Sequence, residues 1–500
     1  MGELLSNLAF GLGVAVTPEN LLFCLVGCLL GTAIGVLPGV GPVATISLLL
    51  PITFGMSATT AIIMLAGIYY GAQYGGSTTS ILLNLPGEVS AVITTLDGYQ
   101  MARKGEAGPA LAVAAIGSFL AGSFSTLLVA ATGPFLTGIA LSFGPADYFS
   151  LMFLGLVVSA VLTEGSVLKS VGMVVLGVAL GLVGTDVQTG QQRFSFNIPE
   201  LSDGIGFVPL AMGMFGIAEI IRNLEHPEAR QSVTAKITRL YLNLDEWRRV
   251  AFPIMRGTMM GSVIGILPGG GATLSAIGAY TLERRINRNK HLFGTGTIEG
   301  VAAPESANNA ASQTSFIPLL TLGIPSNAVM ALMVGALIIQ GIQPGPRMIE
   351  AQPDLFWGLI VSMWVGNLML LVINLPMVGM WVRLLKVPYD AMYPAILIFC
   401  SIGVYSLNNN VFDVMTTIVF GIVGYVFLRT GCQPAPLLIG FVLGPMMEEH
   451  MRRAMLLSRG DWSVFVQRPI SATLLAMSAI AILAMTLPNL RKGKDVALAG

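Results

Sequence analysis

Charged residues are scarce in this sequence, and they are missing altogether from several long stretches. Asp, Glu, Lys and Arg make up only 10% of its 500 residues, against about 25% in an average soluble domain. No charged residue occurs between Glu19 and Glu88, or between Arg256 and Glu283. Hydrophobic residues make up 54% of the chain, and its mean hydropathy is +0.77. Because a crossing takes about 20 apolar residues, the sequence predicts an all-α polytopic integral membrane protein with roughly 10 to 12 membrane segments.

Cysteine and histidine are also rare, which excludes several kinds of site. The four cysteines are Cys24, Cys28, Cys400 and Cys432, and the three histidines are His226, His291 and His450. The cysteines lack metal-ligand spacing and the histidines fall in charged segments, so we expect no cofactor and no resident metal. The apolar stretches contain no HExxH, paired acidic or Ser-His arrangement, so we expect no enzyme. Basic and acidic residues balance at 26 each, and we expect no nucleic-acid partner.

One glycine-rich motif occurs twice inside charge-free sequence. The segment GTAIGVLPGVGP (Gly31–Pro42) returns as GSVIGILPGGGA (Gly261–Ala272). Proline and glycine deprive a helix of backbone hydrogen bonds that lipid cannot replace, so each break should line a cavity enclosed by protein. Many transporters build their substrate sites from such duplicated breaks. We therefore predict two related membrane repeats with broken or re-entrant helices, in which the following residues contact a solute or its coupling ion: Gly35, Pro38, Gly39 and Gly41 in the first copy, and Gly265, Pro268, Gly269 and Gly271 in the second.

Basic residues flank the second copy of this motif on both sides. The polar stretch Arg222–Arg256 precedes it and the cluster Glu283–Lys290 follows it. Loops rich in Lys and Arg stay in the cytoplasm, and a break at the centre leaves two arms too short to cross the bilayer separately. This pattern favours a re-entrant hairpin over a kinked spanning helix. The predicted organisation is a first membrane repeat over 1–221, a basic cytoplasmic linker over 222–256, and a second repeat with C-terminal spans over 257–500.

A polar segment follows each motif: YYGAQYGGSTTSILLNLPGE (69–88) in the first half and APESANNAASQTSFIPLLTLGIPSN (303–327) in the second. Buried hydroxyl and amide groups are costly unless they hydrogen-bond, and a ligand is a natural partner. A carboxylate accepts bonds from hydroxyls and half-helix N-termini, whereas exposed carbonyls suit Na⁺. Close packing of small residues is the alternative, and duplication beside proline breaks favours the ligand. The predicted binding residues are Gln73, Ser77, Thr78, Thr79, Asn84 and Pro86, with Glu305, Asn308, Asn309, Thr314, Ser315, Pro325 and Ser326.

With these motifs the chain resembles the large membrane subunit of the tripartite tricarboxylate transporters, which are bacterial uptake systems. The resemblance covers nearly the whole length and extends to FWGLIVSMWVGN (356–367), LGPMMEEHMRRAMLLSRGD (443–461) and RPIS (468–471). One departure is Ala272, which stands where the first copy of the motif has Pro42. The two halves are therefore not expected to contribute equally to the site.

The resemblance implies a multi-pass permease in the bacterial inner membrane. It would receive a tricarboxylate or a related carboxylate, such as citrate, from a periplasmic solute-binding protein and move it inward with a cation gradient, normally sodium. A small four-helix membrane subunit would accompany it. An ion or small-molecule channel is the alternative that the residues leave open, and a polytopic membrane enzyme is a weaker one.

Overall fold

Helices provide nearly all of the regular structure in the computed structural model, which describes residues 2–37, 41–163, 165–186, 188–225, 239–267, 271–384 and 389–486. The first half contains α1 (Gly2–Ala15), α2 (Pro18–Val36), α3 (Gly41–Thr53), α4 (Ala58–Leu83), α5 (Val92–Thr94), α6 (Gln100–Arg103), α7 (Ala107–Ala140), α8 (Pro145–Leu162), α9 (Val167–Gly181), α10 (Phe207–Ala211) and α11 (Ala218–Glu225). A π-helical turn (Met212–Ile217) joins α10 to α11, and a two-stranded antiparallel ribbon, β1 (Gly184–Thr185) and β2 (Gln192–Arg193), precedes them.

The second half continues the helical pattern. It contains α12 (Leu244–Ile266), α13 (Gly271–Ile286), α14 (Glu299–Thr314), α15 (Phe316–Leu322), α16 (Ala328–Ile339), α17 (Met348–Ala351), α18 (Pro353–Asn374), α19 (Val378–Leu384), α20 (Tyr389–Asn408), α21 (Val411–Arg429), α22 (Ala435–Leu457), α23 (Val464–Gln467) and α24 (Pro469–Thr486). Shorter turns are 3₁₀ helices at Val89–Ala91, Pro199–Leu201 and Lys290–Leu292 and a π-helical turn at Thr95–Tyr99.

Six helices in the described residues are long and apolar enough to cross a membrane: α2, α7, α8, the continuous α10–α11 helix, α18 and α21. Shorter apolar helices of 10–17 residues accompany them, namely α1, α3, α9, α16, and parts of α20 and α24. The prediction of an all-α polytopic membrane protein is confirmed. Of the predicted linker over 222–256, residues 222–225 end α11 and 244–256 begin α12, while 226–238 lie outside the described residues. The boundaries of the two repeats stay a prediction.

The same helix pair is built twice, and glycine makes it possible. Glycines four residues apart line one face of each broken helix: Gly27, Gly31 and Gly35 on α2, and Gly257, Gly261 and Gly265 on α12. A Cβ atom at Gly31 would overlap the carbonyl oxygen of Ile68 on α4, and one at Gly261 would overlap that of Ala307 on α14. Small residues at such spacing let membrane helices approach to backbone contact. Each polar helix is thereby held against the broken helix of its own half.

Each half also packs helices into the other half. From the first half, α7 lies against α12 and α14, and Ser125 Oγ is 2.9 Å from Ser262 Oγ on α12. From the second half, α18 lies against α2 and α4, and the Cys28 thiol on α2 donates to the Gly366 carbonyl at 3.7 Å. The exchange places both polar helices, α4 and α14, between elements of both halves. This arrangement encloses them.

The outer helices repeat this reciprocal pattern. Helix α9 of the first half packs on α22 of the second, and α21 of the second half packs on the α10–α11 helix of the first. Glycines again make the closest approaches, Gly177 to the Leu437 carbonyl and Gly213 to the Thr417 carbonyl. Contacts of this kind therefore occur in both directions between the first and the second half of the chain.

The second broken helix reverses direction at its break. Arg256 Nη2 on α12 lies 2.7 Å from Glu283 Oε1 on α13, and a Cβ at Gly278 on α13 would lie 3.0 Å from Met260 Sδ on α12. A spanning helix would hold residues 256 and 283 about 40 Å apart at 1.5 Å per residue. The two arms instead run side by side. This is the geometry of the hairpin that the basic flanks predict.

We predict that Gly261→Ala destabilises the protein. The added methyl group meets the backbone of α14, and overpacking of this kind costs about 1–3 kcal/mol. The measurement is the midpoint of thermal unfolding in detergent. Gly13→Ala on α1 is the matched control, because nothing lies within 4 Å of its Cβ position, and its midpoint should stay unchanged or rise. Equal midpoints for the two variants would contradict glycine-dependent packing.

The hairpin predicts that both of its open ends face one side of the membrane. Cysteines placed singly at Arg248 on α12 and Arg285 on α13, both exposed, should react with a membrane-impermeant maleimide only when it is added from the cytoplasmic side. Sealed vesicles of both orientations allow the measurement, with the unsubstituted protein as control for its native thiols. Labelling of the two positions from opposite sides would contradict the hairpin.

Candidate functional site

A buried carboxylate joins the two polar helices where the halves meet. Glu305 on α14 is 0% exposed. Its Oε2 accepts a hydrogen bond from the Ser77 hydroxyl on α4 at 2.5 Å, and its Oε1 accepts one from the Thr94 hydroxyl on α5. The Asn308 side chain also donates to Oε2, at 3.4 Å. Of the predicted residues, the structure thus brings Ser77, Glu305 and Asn308 together.

Helix α7 closes one side of this carboxylate. Asn309 Nδ2 donates to Ser118 Oγ on α7 at 2.7 Å and to the Glu305 carbonyl at 3.1 Å. The Ser118 hydroxyl lies 3.4 Å from the same carbonyl. Ser118 is the single polar residue in the stretch 107–122, and the sequence there carries no motif that would indicate its part in the site. Tertiary packing alone places it there.

A second carboxylate lies on the other side. Glu88 Oε1 accepts from the Ser90 backbone N–H at 3.2 Å, and the Ser90 hydroxyl contacts both this oxygen and, at 2.7 Å, Gln73 Oε1 on α4. We refer to the connected set as the interface cluster, which comprises Gln73, Ser77, Glu88, Ser90, Thr94, Ser118, Glu305, Asn308 and Asn309. It contains two carboxylates and draws on α4, α5, α7 and α14. Glu88 ends the first polar segment, and Ser90 and Thr94 follow it closely, but none of the three was among the predicted binding residues.

Glu305 differs from the other buried acidic residues in its partners. Three of them pair with arginine: Asp147 with Arg468 at 2.6 Å, Glu283 with Arg256 at 2.7 Å, and Glu299 with Arg249 at 2.7 Å. Asp97 accepts from the backbone N–H groups of Gly294, Gly296 and Thr297 and from the Tyr280 hydroxyl, at 2.8–3.1 Å. No lysine or arginine of the described ranges forms an ion pair with Glu305.

The paired acids have an evident structural purpose. A buried charge is tolerated when it is paired and hydrogen-bonded, and Asp147 meets both conditions at the start of α8. Its carboxylate, hydrogen-bonded to the guanidinium, raises the pKa of Arg468 above the ordinary value. Asp97 and Glu305 are the two buried acidic residues of the described ranges that have no arginine partner. Asp97 accepts hydrogen bonds from three backbone N–H groups, whereas Glu305 accepts them from side chains of α4, α5 and α14.

The tips of both breaks lie outside the described residues, which leaves Pro38, Gly39, Pro268 and Gly269 without a structural description. The helices that follow begin at Gly41 and Gly271, whose φ angles are +60° and +54°. Glycine tolerates this left-handed backbone without strain. The start of α13 lies close to the second polar segment, because a Cβ atom at Gly271 would be 3.9 Å from the Cβ atom of Asn327.

Two of the predicted glycines pack helices together. A Cβ atom at Gly35 would overlap the backbone of Ala72 on α4, and one at Gly265 would overlap both Ala311 and the Thr314 hydroxyl on α14. Just beyond Gly35, the Val36 carbonyl at the end of α2 accepts a hydrogen bond from the Thr79 hydroxyl at 2.7 Å. The break therefore leaves a carbonyl that the first polar segment satisfies.

The remaining predicted residues lie around the cluster and bond mainly to backbone carbonyls. The hydroxyls of Thr78, Thr314, Ser315 and Ser326 donate to the carbonyls of Tyr74, Ala310, Ser312 and Ser315, at 3.5, 3.1, 2.8 and 3.4 Å. Asn84 ends α4 in the left-handed conformation, with φ +59°, and is exposed, as is Pro86, whereas Pro325 is buried. Their role in binding stays a prediction.

Several buried polar atoms around the cluster have no hydrogen-bond partner within the described part of the chain. They include Gln73 Nε2, Tyr74 Oη, Ser306 Oγ, Asn309 Oδ1, both side-chain amide atoms of Gln313 and of Asn367, and Asn374 Oδ1. Native proteins leave few such atoms unsatisfied, and each one requires an explanation. Their concentration on α4, α14 and α18 indicates a region that accommodates water, an ion or a polar solute.

Comparison with known proteins gives consistent matches. Residues 21–439 match the model of the tripartite tricarboxylate transporter TctA family. Over 495 residues, 99% of each chain, the sequence is 56% identical to an uncharacterized 52.8 kDa protein of the TAR-I ttuC' 3' region of Agrobacterium vitis. It is 59% identical over 235 residues to an uncharacterized protein of the TAR-II ttuC' 3' region of the same organism, which covers 47% of this chain and 97% of that protein. No solved structure matches.

We predict that Thr79→Val destabilises the protein. The change keeps the shape of the side chain but leaves the Val36 carbonyl at the end of α2 without its donor, which costs about 1–3 kcal/mol. Thermal unfolding of the purified protein measures the effect. Thr473→Val is the control, because Thr473 also donates to a helix carbonyl, that of Pro469 at 2.7 Å, but is exposed. A loss of stability in the control equal to that in Thr79→Val would contradict the assignment.

Proposed function

The chain belongs to the tripartite tricarboxylate transporter TctA family, and from that premise we propose that it is the permease subunit that imports a carboxylate together with sodium. The apolar helices provide the multi-pass membrane body, which we place in the bacterial inner membrane. A periplasmic solute-binding protein delivers the substrate, and a small four-helix membrane subunit completes the complex. Citrate represents the substrate class.

The observation that carries this proposal is the unbalanced carboxylate at the junction of the halves. A buried ionised group without a partner is strongly unfavourable, and intramembrane acidic residues commonly mark ion pathways. Glu305 repels an anionic solute and attracts a cation, so its role in the proposed function is to hold the coupling ion. Ser77, Thr94 and Asn308 donate hydrogen bonds to its two oxygens and hold the carboxyl group in place. A sodium ion would supply the balancing charge.

The carboxylate substrate requires donors rather than acceptors. The N-terminal ends of α3 and α13 carry unsatisfied N–H groups and the positive end of the helix dipole, a combination that binds anions. Both ends directly follow the duplicated breaks. The Nε2 atoms of Gln73 and Gln313, which have no hydrogen-bond partner among the described residues, supply further donors. No fixed lysine or arginine is needed, and sodium offsets part of the substrate charge.

Coupling follows from the position of the cluster between the halves. Ser77 and Thr94 belong to the first half and Glu305 to the second, so a cation at this carboxylate stabilises one relative position of the two. Alternating access in duplicated transporters moves one structural unit against another around a central site. Sodium and substrate bound together would favour the position that opens toward the cytoplasm.

We predict that Glu305→Gln abolishes sodium-dependent uptake while the protein still reaches the membrane. Glutamine keeps the shape of the side chain and one acceptor oxygen, but it removes the charge that holds the cation. The measurement is uptake of labelled citrate, in the presence of the binding protein and the small subunit, with and without a sodium gradient. We expect the rate of sodium-dependent uptake to fall about 100-fold, because the variant loses a buried charge interaction of about 3 kcal/mol.

Glu350→Gln is the matched control, since Glu350 on α17 is exposed, and it should retain the full rate. Wild-type uptake by Glu305→Gln, with an unchanged requirement for sodium, would remove Glu305 from the mechanism. If citrate crosses the wild-type complex without sodium and without the binding protein, the protein is a channel and not a coupled transporter.

A further inference from the structure

A small cavity lies beside the interface cluster, between α4, α7 and the end of α18. Its volume, measured as the space open to the centre of a water-sized sphere, is about 10 Å³. A cavity of this volume holds one water molecule. A dehydrated sodium ion is no larger. The cavity is too small for any carboxylate solute. It is thus a separate compartment from the substrate site.

The polar residues of its lining carry hydroxyl or amide groups. Tyr74, Ser77 and Thr78 line it from α4, Ser118 from α7 and Asn374 from the end of α18, and leucine and alanine residues complete the wall. Hydroxyl and amide oxygens are the ligands that hard cations take in proteins. No nitrogen donor from lysine, arginine or histidine lines the space. The lining therefore suits a cation.

Two lining residues have unused oxygens. Tyr74 and Asn374 are 3% and 6% exposed, and neither Tyr74 Oη nor Asn374 Oδ1 has a hydrogen-bond partner in the described ranges. The amide of Asn374 is oriented, because its Nδ2 donates to the Leu370 carbonyl at 2.9 Å and lies 3.5 Å from Thr32 Oγ1. The carbonyl oxygen is left free to bind a ligand. Neither residue is among the binding residues predicted from the sequence.

The charge that such an ion requires lies directly behind the lining. Ser77 lines the cavity and donates its hydroxyl proton to Glu305, so its lone pairs remain available. Ser118 lines the opposite wall and contacts the Glu305 backbone carbonyl at 3.4 Å. A neutral water would fill the space but would leave Glu305 without a balancing charge. A monovalent cation satisfies both the oxygens and the carboxylate.

We propose that this cavity is the binding site of the coupling sodium ion, with Tyr74 and Asn374 among its ligands and Glu305 as its counter-charge. This inference rests on the proposed sodium-coupled transport. An ion in this cavity would also connect the two halves at a point that the interface cluster does not reach. Because α18 of the second half supplies Asn374 and α4 of the first half supplies Tyr74, the bound ion bridges the halves at a second point.

The test is Tyr74→Phe, which removes only the hydroxyl oxygen. The half-saturating sodium concentration for citrate uptake should rise about tenfold, as loss of about 1.4 kcal/mol of binding energy implies. The maximal rate at saturating sodium should be retained. Tyr70→Phe is the matched control, because the Tyr70 hydroxyl, one turn away on α4, is also buried and unpartnered but does not line the cavity. Its sodium dependence should match the wild type.

A binding measurement separates this inference from the proposed function. Sodium should raise the midpoint of thermal unfolding of the purified protein without any substrate, since a ligand that binds only the folded state stabilises it. Tyr74→Phe should need about tenfold more sodium for the same shift.

Sodium-driven uptake with identical sodium dependence in Tyr74→Phe, Tyr70→Phe and wild type would overturn the site but keep the function. A sodium-induced shift that Tyr74→Phe weakens, without sodium-driven uptake, would keep the site and overturn the function. A shift that responds to pH and not to sodium would overturn both.

Discussion

The structure depends on bringing two polar helices into the middle of an apolar protein. Helices α4 and α14 carry hydroxyl, amide and carboxylate groups that lipid cannot hydrogen-bond, so they must be surrounded by protein. Glycines on α2 and α12 let the broken helices approach α4 and α14 to backbone contact. The exchange of α7 and α18 between the halves encloses the other faces. Close packing of the glycines thus creates an enclosure within the protein, and the polar groups of α4 and α14 occupy it.

Charge balance explains which acidic residues are structural. Asp147, Glu283 and Glu299 are each paired with an arginine, and these pairs hold helix ends or connect the arms of the hairpin. Asp97 performs a similar task through backbone N–H groups of the segment before α14. Glu305 also has neutral partners, but these are two side-chain hydroxyls and one side-chain amide from α4, α5 and α14, and no arginine or lysine of the described ranges pairs with it. The proposed function rests on this difference rather than on the number of acidic residues.

The sequence predicted the membrane class, the duplicated breaks and the polar segments, because composition and motif spacing are local properties of the chain. It also included Glu305, the one ionisable residue among the predicted binding residues. It did not predict Ser118, Thr94 or Asn374 as binding residues, since nothing in their local sequence shows that folding brings each one beside residues from the other half. Nor did it predict the arginine partner of Asp147, which lies 321 positions away along the chain. These contacts are set by helix exchange between the halves, which has no signature in a single sequence.

The most direct test of the account is to locate a bound cation in a structure. Thallium(I) replaces monovalent cations and scatters X-rays anomalously, so crystals of the complex soaked with thallium in place of sodium would reveal the site. We predict an anomalous peak between Tyr74 and Asn374, with Glu305 behind this position as the counter-charge. Excess sodium should compete with thallium and remove the peak. A peak at another position, with that space filled by water, would contradict it.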